Sequence, residues 1–353
     1  MPSTLKFRQR PRRLGQAIAQ AATGHVRATM AQLVRVAGVT GGAAGRLVGP
    51  ASLAVAAGTH WFEPGGMTQR TRNTFASTTE DGWVPREGSP AQTVQLTSDP
   101  TSPLVLLGSG TAPVSGPAVL QARYASSLSA GSGPILTQRA WAGSGAGDNE
   151  IYIDSYIQLS TNFHLGYAGM SGTSKLFFFE LDAGNQGVIG LAGFRYNNPQ
   201  VRVSLQNCVR SPSGVVPGVT DMNTSGSLGV NIGAPLVRGT WNRIIVRAVK
   251  NTVDPTTTGT WDGILQVWVN PAGPGAPPNL DLSHIGYVGT NTAAGKPLSA
   301  RFNQVKINPT WTGGLATGSD GTLAGGTSTP GTSTPGAYGP FYAWYDDLYV
   351  SGK

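Results

Sequence analysis

From about residue 67 to the C-terminus, apolar side chains recur at every second position in short runs separated by turns. That period fits only a strand with one face buried. In 151–160 (IYIDSYIQLS), Ile151, Ile153, Ile157 and Leu159 share one face. Tyr152, Asp154, Tyr156 and Gln158 share the other. In 241–250, Ile244, Val246 and Ala248 oppose Arg243 and Arg247. In 264–270, Leu265, Val267 and Val269 oppose Gln266, Trp268 and Asn270. In 175–182 (KLFFFELD) both faces are apolar, and FYAWYDDLYV at 341–350 is a closing strand. No pattern for a helix longer than about two turns follows residue 67. Many short strands at this spacing predict an all-β sandwich of jelly-roll type over 67–353.

Composition agrees. The chain has 353 residues, of which 50 are Gly, 25 are Pro and only 12% are charged. Its 39% apolar content is enough for a sizeable core, and a single Cys208 excludes an internal disulfide. The segment GTSTPGTSTPG at 326–336 repeats ThrSerThrProGly and reads as an exposed loop.

Residues 1–66 are different. The first sixty contain no Asp or Glu but hold Lys6, Arg8, Arg10, Arg12, Arg13, Arg27, Arg35 and Arg46. The whole net charge of +8 therefore sits there, since the remaining 17 basic and 17 acidic residues cancel. Pro2 and Pro11 discourage helix in the first residues, and a helical stripe runs from Leu14 to Leu33. Gln16, Gln20, His25 and Arg27 interrupt any signal-peptide core. An Arg-rich, acid-free segment also mimics a mitochondrial presequence. No apolar run is long enough to span a membrane as a helix. Residues 38–58 are small and nearly featureless, and His60-Trp61-Phe62 reads as an apolar plug at the boundary. Such an arm suits a protein lattice, nucleic-acid phosphates or a membrane surface. The small-residue stretch favours burial between protein chains, and the lack of interleaved aromatics disfavours base stacking.

The order of the strand motifs resembles the concanavalin A-like lectin and glucanase superfamily, and within it polysaccharide-lyase-like and LamG-like jelly rolls. The pieces are EIYIDSYIQLSTNF (150–163), SKLFFFELD (174–182), GTWNRIIVRAV (239–249), DGILQVWVN (262–270), FNQVKINPTWTGG (302–314) and YAWYDDLYVSG (342–352). The resemblance covers roughly 70–353 and leaves 1–66 unexplained. A Gly-rich WGG loop of the family reads WTGG here.

The resemblance implies two chemistries to look for. Glucanases of the superfamily place three carboxylates on one strand. Here Glu180 and Asp182 lack the third, so glycoside hydrolysis is incomplete. The lyase relatives neutralise a uronate carboxylate with Arg or Gln and move protons with His or Tyr. For that chemistry His164, Tyr167, Gln158 and Arg195 are the candidates, with Lys175 and Lys306 as further uronate contacts. Tyr152, Asp154, Tyr156 and Gln158 form a candidate carbohydrate-binding face, or else a face covered by a loop. No cofactor or metal is required. A calcium ion is conceivable at Asp346-Asp347, although alternation puts these carboxylates on opposite faces.

Together these features lead to the expectation of a non-enzymatic bacteriophage structural protein, a capsid decoration or head-fibre subunit. It would be made in the host cytoplasm and anchored in the virion through 1–66, using Lys6, Arg8, Arg10, Arg12, Arg13, Arg27 and Arg35. A homo-oligomer is expected because Trp268, Phe177 and Tyr349 lack obvious polar cover, and a surface polysaccharide is a further expected partner. The alternative is a polysaccharide lyase or hydrolase of the same superfamily with an anchoring leader.

Overall fold

The structure is a computed structural model. It describes residues 59–76, 80–85, 104–105, 113–115, 119–124, 133, 135–163, 174–182, 184–193, 201–206, 231–254, 261–289, 297–310 and 341–353. The chain divides into two compact units, Met1–Leu53 and Ala54–Lys353, and all described residues belong to the second. The arm residues Lys6 to Arg35 and the 326–336 repeat lie outside the described residues, as do His164, Tyr167 and Arg195.

The second unit is an all-β jelly-roll sandwich. Its strands are β1 (Thr68–Asn73), β2 (Val84–Pro85), β3 (Leu104–Val105), β4 (Val119–Tyr124), β5 (Thr137–Ala140) and β6 (Glu150–Leu159). Then follow β7 (Ser174–Leu181), β8 (Gly184–Gly193), β9 (Val201–Gln206), β10 (Asn231–Ile232), β11 (Trp241–Val249) and β12 (Gly263–Val269). The last three are β13 (Leu280–Ile285), β14 (Phe302–Thr310) and β15 (Phe341–Gly352). An eight-stranded sheet runs β13-β12-β11-β6-β15-β4-β3, with β1 also on β15. A seven-stranded sheet runs β10-β9-β8-β7-β14-β5-β2. Every pairing is antiparallel. Among the described residues the only helical turn is Glu80–Gly82, and no helix is long and apolar enough to cross a membrane.

Alternation decides which residues face inward. Ile151, Ile153, Ile157 and Leu159 of β6, Ile244, Val246 and Ala248 of β11, and Leu265, Val267 and Val269 of β12 join one core. Phe177, Phe179 and Leu181 of β7 and Val305 and Ile307 of β14 meet them from the other sheet. Removing this much apolar surface from water is the main stabilising term.

The long strand β15 serves two partners along one edge. Its first half pairs with β4 and its second half with β1, while β6 follows it along the other edge. The register slips between Asp346 and Tyr349, where Asp347 takes a positive φ of 43°. This bulge lets one strand bend between two neighbours. At its end, Gly352 is obligatory for space. A Cβ there would enter the carboxylate of Asp148, which Arg70 grips through Nε and Nη2 at 2.9 and 2.6 Å.

Candidate functional site

Each sheet has an outer face, and the two faces are built differently. On the eight-stranded sheet, β6 turns Tyr152, Asp154, Tyr156 and Gln158 outward, as alternation predicts. They are only 0%, 2%, 9% and 4% exposed. The cover over the first of them is residues 59–67, which lie across the sheet as a strap. His60 stacks on Tyr349 with ring centroids 3.6 Å apart, and Phe62 stacks on Trp268 at 4.5 Å. Phe62 and Met67 pack on a small apolar cluster of Tyr152, Ile245, Trp268 and Tyr349. The plug expected at 60–62 is therefore seated on its own sandwich.

Beneath the strap is a charge network centred on Asp154. Asp154 receives Arg243 Nε at 2.9 Å and Nη2 at 2.5 Å, and the Tyr152 hydroxyl at 3.3 Å. His60 Nδ1 lies 3.0 Å from the same carboxylate. Arg243 Nη2 also donates to the Thr59 carbonyl, which ties down the start of the strap. The Arg243 guanidinium lies over the rings of Trp61 and Tyr156 at 4.6 and 5.5 Å. Burial and the neighbouring Asp154 push the Tyr152 hydroxyl far above its usual range, and burial takes Tyr156 up to about 12. Neither phenol is poised as a base near neutral pH.

Trp268, Tyr349 and Phe177, expected as uncovered interface residues, are covered within the chain. The first two lie under Phe62 and His60, and Phe177 is core. The argument for a homo-oligomer from those residues falls for that reason. Asp346 and Asp347 also point to separate partners. Asp346 accepts from the backbone of Val114 and Ser115 and from the Ser115 hydroxyl, while Asp347 accepts from Arg72 Nε at 2.8 Å. Among the described residues no group of three or more His, Cys, Asp or Glu side chains gathers to hold a metal.

The outer face of the seven-stranded sheet is a polar cluster that no strap residue touches. In register across β5, β14 and β7 stand Gln138, Lys306 and Phe178, and one step along stand Gln304 and Glu180. Lys306 Nζ lies 2.6 Å from Glu180 Oε1, a diagonal ion pair across neighbouring strands. Gln304 Nε2 donates to Gln138 Oε1 at 2.8 Å. Glu180 is 0% exposed and Gln304 is 3% exposed. Although Lys306 is close, neither Glu180 oxygen receives a well-aligned hydrogen bond. Lys175 Nζ lies 5.3 Å above the Phe178 ring, and burial lowers its pKa below the usual lysine range.

Of the lyase candidates, the structure thus brings Lys175 and Lys306 to one face. Gln158 points from the outer face of the opposite sheet and cannot join them. Sequence reasoning missed Glu180 as the partner of Lys306, and missed Gln138 and Gln304. The signal was available as two strands, since Gln304 and Lys306 alternate with the core residues Val305 and Ile307. Asp182, the other half of the supposed glucanase pair, sits at a turn with φ 48° and accepts from the Gly145 amide at 2.9 Å.

No family model matches the chain, and no curated protein matches it. Among solved structures it is similar to the alginate lyase Aly36B, with 16% identity and a TM-score of 0.41 over 67% of this chain and 80% of that one. It is also similar to the alginate lyase vAL-1 from Chlorella virus, with 14% identity and a TM-score of 0.37 over 67% of this chain and 85% of that one. A third is the endo-β-1,4-glucuronan lyase from the fungus Trichoderma reesei, with 10% identity and a TM-score of 0.38 over 68% and 83%. These findings correct the expectation of a non-enzymatic phage structural protein. These three are polysaccharide lyases, and nothing found supports a virion, phage or capsid role.

Proposed function

We propose that this chain is a polysaccharide lyase acting on uronate-containing glycans at the outer face of the seven-stranded sheet. The observation that carries the reading is the buried Lys306–Glu180 pair beside Gln304 and Gln138. A buried carboxylate without aligned hydrogen bonds costs stability, so such a group is more at home in a site than in a scaffold.

Eliminative cleavage breaks the C–H bond next to a uronate carboxylate. It forms a C=C bond and expels the glycosidic oxygen on the neighbouring carbon, which takes up a proton. The C–H proton becomes acidic enough only when the carboxylate charge is neutralised. Lys306 supplies the cation and the amides of Gln138 and Gln304 supply donors. Glu180 fixes the direction of Lys306. Lys175 is a candidate proton carrier from the same face, since burial favours its neutral form. His164 and Tyr167, which precede β7 in the chain, are the other candidates for base and acid, and Arg195 for a further carboxylate contact.

The test is incubation of the full chain with alginate and with polyglucuronate, following the ultraviolet absorbance of unsaturated chain ends. Wild type is expected to produce them. The double variant Glu180→Gln/Lys306→Met removes both charges together, so neither is left buried alone. It is expected to lose about a hundredfold or more in rate while staying folded. Wild-type protein that releases no unsaturated ends from either uronate sinks the reading.

A further inference from the structure

The strap covers only part of the eight-stranded sheet. Beyond it, a row crosses four neighbouring strands in register: Gln121 on β4, Trp344 on β15, Gln158 on β6 and Trp241 on β11. Both tryptophans stay half-exposed, as does Trp61 at the end of the strap. Trp344 is braced from two sides. Its Nε1 donates to Gln121 Oε1 at 2.9 Å, and Tyr342 stacks against it nearly parallel at 5.6 Å. Trp344 and Trp241 stand two strands apart, which is roughly 9–10 Å. That is close to the length of two pyranose units in an extended β-1,4-linked chain.

We infer that this part of the outer face binds an extended β-1,4-linked glycan, with pyranose rings on Trp241 and Trp344. Gln158 lies between the two rings, and Gln121 braces Trp344 from beside it. The site is on the opposite side of the sandwich from the Lys306 cluster, and it does not depend on lyase activity.

The test uses the full chain carrying Glu180→Gln/Lys306→Met, so that turnover cannot remove the ligand, with a β-1,4-linked mannuronate hexamer and cellohexaose as separate titrants. Binding of at least one is expected, and each of Trp241→Ala and Trp344→Ala is expected to weaken it about tenfold. Binding of only the acidic hexamer makes the ligand a uronate chain, and binding of both makes it the shared β-1,4-linked backbone. Should a variant fail to fold, the same titrants are tested on unsubstituted protein by N-bromosuccinimide oxidation and peptide mass spectrometry. Protection of Trp241 and Trp344 supports the site. No binding of either hexamer, unchanged affinity in both folded variants, or no protection overturns it.

Discussion

The two outer faces carry the same kinds of groups and resolve them in opposite ways. Under the strap, Asp154 meets a two-pronged Arg243, a tyrosine hydroxyl and His60, and its charge is fully answered. On the other face, Glu180 meets only Lys306 among the described residues, without aligned hydrogen bonds. A carboxylate with all its lone pairs engaged is part of the scaffold. One held by a single flexible cation is the one proposed above as part of a site. Burial alone does not separate the two, because both carboxylates are almost completely buried.

The sharpest way to break this contrast is to remove one charge under the strap. Arg243→Ala leaves Asp154 buried with His60 as its remaining basic partner, and the expected loss is about 3–5 kcal/mol of folding stability. Urea unfolding measures it. Replacing the pair together, Arg243→Met with Asp154→Leu, is expected to cost clearly less, because no lone charge stays inside. Neither change is expected to alter product release from uronates by folded protein. Equal destabilisation by the single and paired variants would remove the distinction between the faces.

Asp346 gives a second handle, since it shares the strap side but has no cation in its first contacts. Burial, only partly offset by the amides and hydroxyl of 114–115, raises its pKa from 3.8 to about 6. Between those values the folded state binds the proton more tightly than the unfolded chain does. Stability therefore falls as pH rises through this window, by at most about 3 kcal/mol. Asp346→Asn should flatten that part of the curve of unfolding midpoint against pH. An unchanged slope would mean that amide donors alone can do what Arg243 does for Asp154.

Much of the sandwich was legible because alternation is a local property. Ile244, Val246 and Ala248 go inward for the reason their spacing gives, and Arg243 and Arg247 go outward. Lys175 and Lys306 were singled out by residue type, and the structure puts them on one face. What stayed hidden depends on which strands become neighbours. Glu180 and Lys306 are more than a hundred residues apart, and only the β7–β14 pairing makes them one group. Gln158 was grouped with them because sequence does not say which sheet a strand joins. The strap was hidden by composition. His60 to Met67 follow a basic, acid-free segment, but their aromatic rings complete the face of a sheet whose strands lie up to nearly three hundred residues later.

The smallest effect tests whether that strap is held by charge or by its rings. His60→Ala removes both the stack on Tyr349 and the contact with Asp154, and about 1–2 kcal/mol is the expected loss. His60→Phe keeps a ring over Tyr349 and gives up only the contact with Asp154, which Arg243 and Tyr152 still serve. Its expected loss is about half as large. Urea unfolding compares the two, and limited proteolysis near Thr59 reports the strap itself. If the phenylalanine variant is as unstable as the alanine variant, the polar contact holds the strap and the stack follows it. If it is nearly as stable as wild type, the face is closed by aromatic packing, with the Asp154 network already complete beneath it.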